Sequence, residues 1–79
     1  MRLDKFLKVS RLIKRRTVAA EACDNKRVSI NGKVAKASSK VSEGDVIEIS
    51  FGSGITKIRV TKVTEHATRE GAGDMYEII

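Results

Sequence analysis

The spacing of the apolar residues changes after the first third of the chain, from a helical period to an alternating one. Near the start, Leu3, Phe6 and Leu7 are spaced i, i+3 and i+4. This spacing predicts a helix with one apolar face. Leu12 and Ile13 break the pattern, so we expect the helix to be interrupted or to end there.

A second apolar stripe predicts another helix, over roughly residues 15–25. The residues of this stripe are Val18, Ala19, Ala22 and Cys23. Asn25 follows the stripe and is a candidate C-terminal cap. The start of the helix is poorly marked, because only Thr17 offers a capping side chain there.

Beyond the helices the pattern alternates. Val28 and Ile30 alternate with Ser29 and Asn31, and Gly32 completes an Asn-Gly pair. An Asn-Gly pair between alternating residues predicts a tight β-hairpin.

Three more strands are expected further along the chain. The first follows the turn "SEGD", where Asp45 is a turn residue, and it ends at a hairpin turn over 52–54. Their apolar positions are Val46, Ile47, Ile49 and Phe51, then Ile55, Ile58, Val60 and Val63, then Met75, Tyr76, Ile78 and Ile79. Two helices followed by strands joined by short loops predict an α+β fold, with two main helices packed on a small antiparallel sheet.

The 79 residues predict one domain, 1–79, whose strands over 55–79 form its C-terminal part. "EHATREGAGD", residues 65–74, is the only loose stretch and is expected to be a loop. No long apolar run or signal peptide is present, so we expect no membrane partner. The single Cys23 cannot form an internal disulfide, which favours a reducing compartment, the cytoplasm.

The charge of the chain is distributed unevenly. Residues 1–40 hold twelve Lys and Arg against three Asp and Glu, whereas residues 41–79 hold four against seven. A basic half beside a mildly acidic half suggests a face built for a polyanion. The alternative is that the clustered cations only aid solubility.

Few residues could support catalysis. His66 is the only histidine and is expected to be exposed in the loop, and Cys23 is expected to be a small core residue. There are no paired carboxylates, no phosphate-binding glycine loop and no metal-ligand spacing, so we expect neither an enzyme nor a cofactor. Asp4 either interacts with the N-terminus of the first helix or orients a neighbouring arginine.

Cations in the first half are therefore the candidate binding residues. They are Arg2, Lys5, Lys8, Arg11, Lys14, Arg15, Arg16, Arg27, Lys33 and Lys36. Arg15 and Arg16 stand where the second helix begins, although the positive end of the helix dipole favours acidic residues there. A helix start with two guanidinium groups suits phosphate oxygens, and this departure from the usual pattern is the clearest sign of function.

The hairpin is expected to share the same basic face. Ala35, Ala37, Ser38 and Ser39 are small and would let an RNA backbone approach Lys33 and Lys36. The alternative is an ordinary hairpin with lysines on an exposed rim.

The small number of aromatic residues limits the class of nucleic acid that the chain could bind. Phe6 and Phe51 are expected in the core, which leaves only Tyr76 and no platform for stacking single-stranded bases. Folded RNA recognised by shape and phosphate spacing fits better. A helix-turn-helix DNA-binding regulator and a protein-interaction module that uses the acidic half remain alternatives.

Several motifs follow one another over residues 2–49 in an order that resembles a known family. These motifs are "RLDKFL", the "RR" before the second helix, V-x-I-N-G-K, Ser38 and V-x-x-G-D-x-I. Together they resemble the RNA-binding domain named after small-subunit ribosomal protein S-four, also called the alpha-L motif. The chain is similar above all to stand-alone members of this family that act in bacterial ribosome quality control.

The resemblance implies binding to large-subunit ribosomal RNA and to peptidyl-tRNA, together with an RqcH-type factor that adds alanine tails to stalled chains. A monomer in the cytoplasm is expected. The residues that it implies as RNA contacts are Arg2, Lys5, Arg11, Arg15, Arg16, Asn31, Gly32 and Lys33. Many relatives have a small hydroxylated residue just before the second helix, where this chain has Lys14 and Arg15.

Two other activities occur among proteins with this domain. One is the recycling of large subunits by heat-shock protein fifteen, which has a long basic C-terminal extension; because the sequence stops at Ile79, we expect no such extension here. The other is RNA modification or aminoacylation, in which the domain targets a separate catalytic domain to its RNA.

Overall fold

The computed structural model describes residues 1–65 and 71–79, and its two helices lie close to the predicted positions. Helix α1 spans Leu3–Val9 and helix α2 spans Arg16–Asp24. The predicted second helix, roughly 15–25, is one residue too long at each end, because Arg15 and Asn25 occupy the two cap positions.

The end of α2 has a defined hydrogen-bond pattern. The Lys26 N–H donates to the Cys23 carbonyl at 3.0 Å, and the Arg27 N–H donates to the Ala22 carbonyl at 2.9 Å. This pair of bonds is the Schellman motif, in which the residue after the cap adopts a left-handed conformation. That residue is Lys26, with φ of 59°, rather than the capping Asn25.

The strands form one five-stranded antiparallel sheet in the order β2-β1-β3-β4-β5. They span Val28–Ile30, Lys33–Val34, Val46–Phe51, Gly54–Val60 and Tyr76–Ile78 for β1 to β5. Asn31 and Gly32 join β1 to β2 with φ angles of 52° and 84°, as the tight hairpin turn requires. The α+β prediction, two helices with a small antiparallel sheet, is confirmed.

One face of the sheet packs against both helices. Alternate strand residues point to this inner face and join the apolar side chains of α1 and α2 in one buried cluster, because the side-chain period of a strand is two. The largest fully buried residues are Phe6, Leu3, Leu7, Ile47, Ile49, Ile58 and Met75. The outer face carries paired charges, including Glu48 with Lys57 and Arg59 with Glu77.

Two apolar residues predicted for buried positions are instead exposed. Phe51 is 46% exposed because it ends β3 beside the turn, beyond the helices that cover the inner face. Val18 is also 46% exposed, so the buried stripe of α2 is narrower than the sequence pattern suggests. Cys23 is buried, as predicted.

The C-terminal part differs from the predicted long loop. Gly71–Met75 forms a 3-10 helix, and Met75 is buried in it rather than in the last strand. Residues 66–70 of the predicted loop, which include His66, lie outside the described residues. Within the described ranges, no helix is long and apolar enough to cross a membrane.

Candidate nucleic-acid interface

A buried carboxylate at the start of α1 organises the first part of the interface. Asp4 is only 4% exposed. Its Oδ1 accepts hydrogen bonds from Arg2 Nε at 3.2 Å, from the Lys5 backbone N–H at 2.8 Å and from Arg16 Nη2 at 3.4 Å. Its Oδ2 accepts a further bond from Arg2 Nη2 at 3.2 Å. Asp4 therefore orients two arginines, which was one of the two roles considered from the sequence.

These bonds determine the charge state of Asp4. Burial alone would raise the pKa of the carboxyl group. The hydrogen bonds from Arg2, Arg16 and the Lys5 N–H, together with the positive charge of Arg16, outweigh burial and lower the pKa below its usual value of 3.8. Asp4 is consequently ionised at neutral pH, and the three-residue cluster has a net charge of about +1.

The two arginines are partnered internally but still accessible. Their side chains remain 54% exposed in Arg2 and 48% exposed in Arg16. A guanidinium group has five N–H donors, of which Asp4 engages two in Arg2 and one in Arg16. The remaining donors are available to a phosphate, although the neighbouring carboxylate reduces the positive potential that it would meet.

The segment after the hairpin lies directly against this cluster. The Leu3 N–H donates to the Ser39 carbonyl at 2.8 Å, and the Asp4 N–H donates to the Ala37 carbonyl at 3.1 Å. These bonds satisfy N–H groups that the first turn of a helix leaves without intrahelical partners. They also hold the small residues of this segment beside Arg2.

An open groove of about 460 Å³ results from this packing. Arg2, Lys26 and Lys36 contribute its cations, while Ala35 and Ser38 keep part of its wall low. The approach of an RNA backbone over these small residues stays a prediction. The sequence analysis did not include Lys26 among the candidate cations. The available signal was its position just after the helix cap, where a left-handed residue is common.

The start of α2 supplies a second group of cations. Arg15 occupies the N-cap without a side-chain capping bond, and the first turn contains no acidic residue. Lys14 and Arg15 are exposed. Because free N–H groups and the positive end of the helix dipole meet here, this helix start favours an anion more than an additional cation.

The connection between the helices presents Arg11 in an unusual conformation. Its φ is 64°, a left-handed value that costs a non-glycine residue roughly 1 kcal/mol or more. The Arg11 N–H donates to the Lys8 carbonyl at 3.1 Å, and the Ile13 N–H donates to the Leu7 carbonyl at 3.1 Å. This tight connection ends α1 and leaves the side chains of Lys8 and Arg11 exposed.

Lys5 is less available than the sequence suggested. It forms an ion pair with Glu65, so part of its charge is neutralised within the protein. Of the candidate cations on α1 and at its N-cap, Lys8 is therefore the one with no ion pair among the described residues.

The hairpin turn is a structural junction as well as a candidate contact. Asn31 Nδ2 donates to Asp45 Oδ1 at 3.1 Å, and Asn31 Oδ1 accepts from the Val46 N–H at 2.9 Å. Both ends of the amide are thus used to attach the hairpin to the turn before β3. Gly32 and Lys33 are exposed beside it, and the RNA contacts of all three residues stay predictions.

The predicted cations do not all share one surface. Arg27 lines a separate groove of about 150 Å³ together with Ser29, Glu48 and Ser50 on the outer face of the sheet. Lys26 borders both grooves. The structure therefore brings together Arg2, Arg16 and Lys36, whereas Arg27 belongs to the opposite side of the sheet.

Within residues 1–65 and 71–79 the structure offers no group of three or more metal-binding side chains. Cys23, the one cysteine, is buried, and its burial, with the nearby charges of Asp4 and Asp24, raises its pKa to about 11. The interface consists instead of hydrogen-bond donors and cations over a low surface. Hydrogen-bond donors and cations of this kind suit phosphate groups.

Known proteins are similar to this chain in sequence and in fold. The S4 domain family matches residues 1–47. The "RQC P-site tRNA stabilizing factor" of Halalkalibacterium halodurans is 53% identical over 99% of this chain and 89% of its own length. The protein with the same description from Bacillus subtilis is 52% identical over 100% of this chain and 92% of its own length.

A solved structure is also similar. The trimeric structure of Vibrio cholerae Heat Shock Protein 15 superposes with a TM-score of 0.92 at 29% identity, covering 100% of this chain and 81% of that one. The resemblance inferred from the ordered motifs is thus confirmed. This chain belongs to the S4 domain family, in the same group as the RQC P-site tRNA stabilizing factors.

Proposed function

We propose that this chain is a non-enzymatic RNA-binding adaptor that stabilises tRNA on obstructed large ribosomal subunits during ribosome quality control. The main observation behind the proposal is the pair of half-exposed arginines that Asp4 orients beside the groove of about 460 Å³. The relatives named as P-site tRNA stabilizing factors, at about half identity over the whole chain, support the same role.

Binding would proceed through phosphates rather than bases. Arg2 and Arg16 have free N–H donors at fixed positions, and a planar guanidinium can bind a phosphate with two parallel hydrogen bonds. The start of α2 adds N–H groups and the cations Lys14 and Arg15. Together these features suit a folded RNA whose phosphates have a fixed spacing.

The finer assignment follows the family resemblance. We propose that the chain contacts both large-subunit ribosomal RNA and the peptidyl-tRNA, and so holds the tRNA while an RqcH-type factor adds alanine tails. Its monomeric state and its place in the cytoplasm belong to the same proposal. The two adjoining groups of cations, at Asp4 and at the start of α2, offer more than one position at which a phosphate could bind.

The decisive experiment compares binding to purified large subunits with and without peptidyl-tRNA. The wild-type chain should co-sediment more strongly with the tRNA-carrying subunits. Arg16→Ala should lose about tenfold in affinity, since a good charged contact contributes about 1.4 kcal/mol or more. In cells, crosslinking followed by sequencing should recover large-subunit ribosomal RNA together with tRNA.

Arg59→Ala is the matched control for Arg16→Ala. Arg59 is 49% exposed and pairs with Glu77 at 3.0 Å, much as Arg16 is 48% exposed and pairs with Asp4. Arg59 lies on the outer face of the sheet, so its loss should leave binding unchanged. Equal losses in the two variants, or recovery of messenger RNA alone, would contradict the proposal.

A second candidate function is recycling of large subunits, and the structural similarity to Heat Shock Protein 15 favours it. The two roles differ in what happens to the bound tRNA. A stabilising factor slows the release of peptidyl-tRNA from the subunit, whereas a recycling factor promotes or leads to its clearance. Measuring the release rate of peptidyl-tRNA with and without the chain therefore distinguishes the two roles. A separate competition between tRNA and duplex DNA tests whether the chain is a general nucleic-acid binder.

A further inference from the structure

Strand β5 forms one edge of the sheet and exposes a row of backbone groups. It pairs with β4 through Ile58 with Ile78, Arg59 with Glu77 and Val60 with Tyr76. In the described part of the chain no strand pairs with its other side. An uncovered edge is a template on which an extended segment of another protein can add a strand.

The hydrogen-bond pattern shows which groups face outward. The Thr61 N–H donates to the Met75 carbonyl at 2.9 Å, and the Ile79 N–H donates to the Lys57 carbonyl at 3.1 Å. Bonded and non-bonded pairs alternate along an antiparallel ladder. The backbone N–H and C=O groups of Tyr76 and Ile78 therefore point away from β4, toward the open edge.

The side chains at this edge specify what could pair with it. Ile78 lies opposite Ile58 and so points to the inner face of the sheet, yet it is 75% exposed while Ile58 is fully buried. Tyr76, on the same face, is half-buried. Glu77 points to the outer face, where its carboxylate is 52% exposed.

We propose that β5 binds an extended protein segment in which one basic residue stands between two apolar residues. In an antiparallel pairing centred on Glu77, the basic side chain lies opposite the carboxylate in a non-hydrogen-bonded pair, where side chains are closest. The two apolar residues then cover Ile78 and Tyr76. Backbone hydrogen bonds supply affinity, and the alternating side chains supply selectivity.

The charges at this edge disfavour two other binding partners, a second copy of the chain and RNA. A second copy paired symmetrically through β5 would place Glu77 opposite its own counterpart, and like charges directly opposite each other are destabilising. RNA would meet Glu77, and the neighbouring cation Arg59 is already paired with it. A basic–apolar peptide avoids both problems, because Arg59 donates to Oε1 of Glu77 and the second carboxylate oxygen, Oε2, can accept from the basic side chain of the peptide.

The location of β5 makes this binding independent of RNA. The sheet order places β5 at one edge and β2, whose Val34 borders the basic groove, at the other. A protein segment on β5 would therefore not compete with RNA bound near Arg2 and Lys36. An adaptor with these two separate surfaces could join a protein partner to an RNA complex.

The test is an NMR titration of the full chain with two blocked peptides, Thr-Val-Lys-Val-Thr and Thr-Val-Glu-Val-Thr. The lysine peptide should shift the amide signals of Tyr76 and Ile78 and slow their hydrogen exchange. It should bind roughly five- to tenfold more tightly than the glutamate peptide. Glu77→Lys should reverse the preference, and Glu77→Gln, which keeps a side chain that can accept from Arg59, should abolish it.

Glu48→Lys is the control variant. Glu48 is an acidic residue on the outer face that also pairs with a cation, Lys57, but it lies two strands away from β5. The peptide preference should survive this change, and tRNA binding should be unaffected by either peptide. The proposal is overturned by shifts away from β5, by equal sensitivity to Glu48→Lys, or by an Ile78 amide that is already protected in a dimer.

Discussion

The carboxylate of Asp4 lies 3.4 Å from a guanidinium nitrogen of Arg16, twelve residues further along the chain, and thereby connects the first turns of α1 and α2. Asp4→Asn keeps the size of the side chain but removes its charge and places donors against donors. We expect the variant to lose about 1–3 kcal/mol of unfolding free energy. Thermal or urea unfolding measures this loss.

The same substitution tests whether orientation matters for RNA binding. Removing a negative charge makes the protein more positive, so simple electrostatics predicts tighter binding of tRNA. We expect weaker binding, because Arg2 and Arg16 lose the group that fixes their positions. Asp24→Asn makes the same charge change at an exposed site and should not weaken binding. Tighter binding in both variants would show that Asp4 has no orienting role.

Acid should destabilise the fold through Asp4. Its pKa is lowered in the folded protein, so as the pH falls the unfolded chain takes up the proton first. The contribution of Asp4 to stability is therefore fully present well above pH 3.8, the ordinary value, and is lost as the pH falls through the lower folded pKa. Unfolding curves recorded between neutral pH and about pH 2 should show a steeper loss for wild type than for Asp4→Asn.

Asn31→Ala should affect stability more than RNA binding. The substitution removes the acceptor of the Val46 N–H and the donor to Asp45, and it places alanine at a φ of 52°. Each effect is unfavourable, and together they should cost about 2–3 kcal/mol. Asn31→Gly separates them, since glycine tolerates the conformation but also lacks the amide. A tRNA affinity that falls tenfold in a fully folded Asn31→Ala protein would instead make Asn31 a direct contact.

The local parts of the fold could be read from the sequence. The Asn-Gly turn, the change of period and the ends of α2 depend on neighbouring residues, and these agree with the structure within about a residue. Helix α1 is the exception: it ends at Val9, before the predicted break at Leu12 and Ile13, because the chain already turns at the left-handed Arg11. The solvent exposure of side chains at the ends of strands and helices could not be predicted in this way. Phe51 continues the apolar alternation of β3, but the helices do not extend over that end of the sheet.

The binding residues were harder to group because grouping depends on contacts distant in sequence. Nothing in the spacing of Asp4 and Arg16 shows that one carboxylate binds both neighbouring arginines. The side of the sheet on which Arg27 lies depends on the alternation along β1, which places it opposite the helices. The sequence therefore supplied candidate cations for the interface but not their arrangement in space.

Salt dependence should report the number of phosphates that are contacted. If about five are neutralised, the logarithm of the tRNA binding constant should fall with the logarithm of salt concentration at a slope of roughly −4. Arg15→Ala should reduce the magnitude of that slope by roughly 1, because Arg15 is exposed at the start of α2. Arg59→Ala should leave it unchanged. A slope near zero for the wild type would contradict phosphate-based binding.

Cys23 should be unreactive in the folded protein. Its burial, reinforced by the negative charges of Asp4 and Asp24, raises its pKa to about 11, so almost no thiolate forms at neutral pH. We expect iodoacetamide to modify it only as fast as the protein unfolds, and urea to abolish the protection. Asp4→Asn provides an internal check, since a less stable fold should open more often and increase the rate of modification. Rapid modification of the stable wild type in native buffer would show that the thiol is accessible without unfolding.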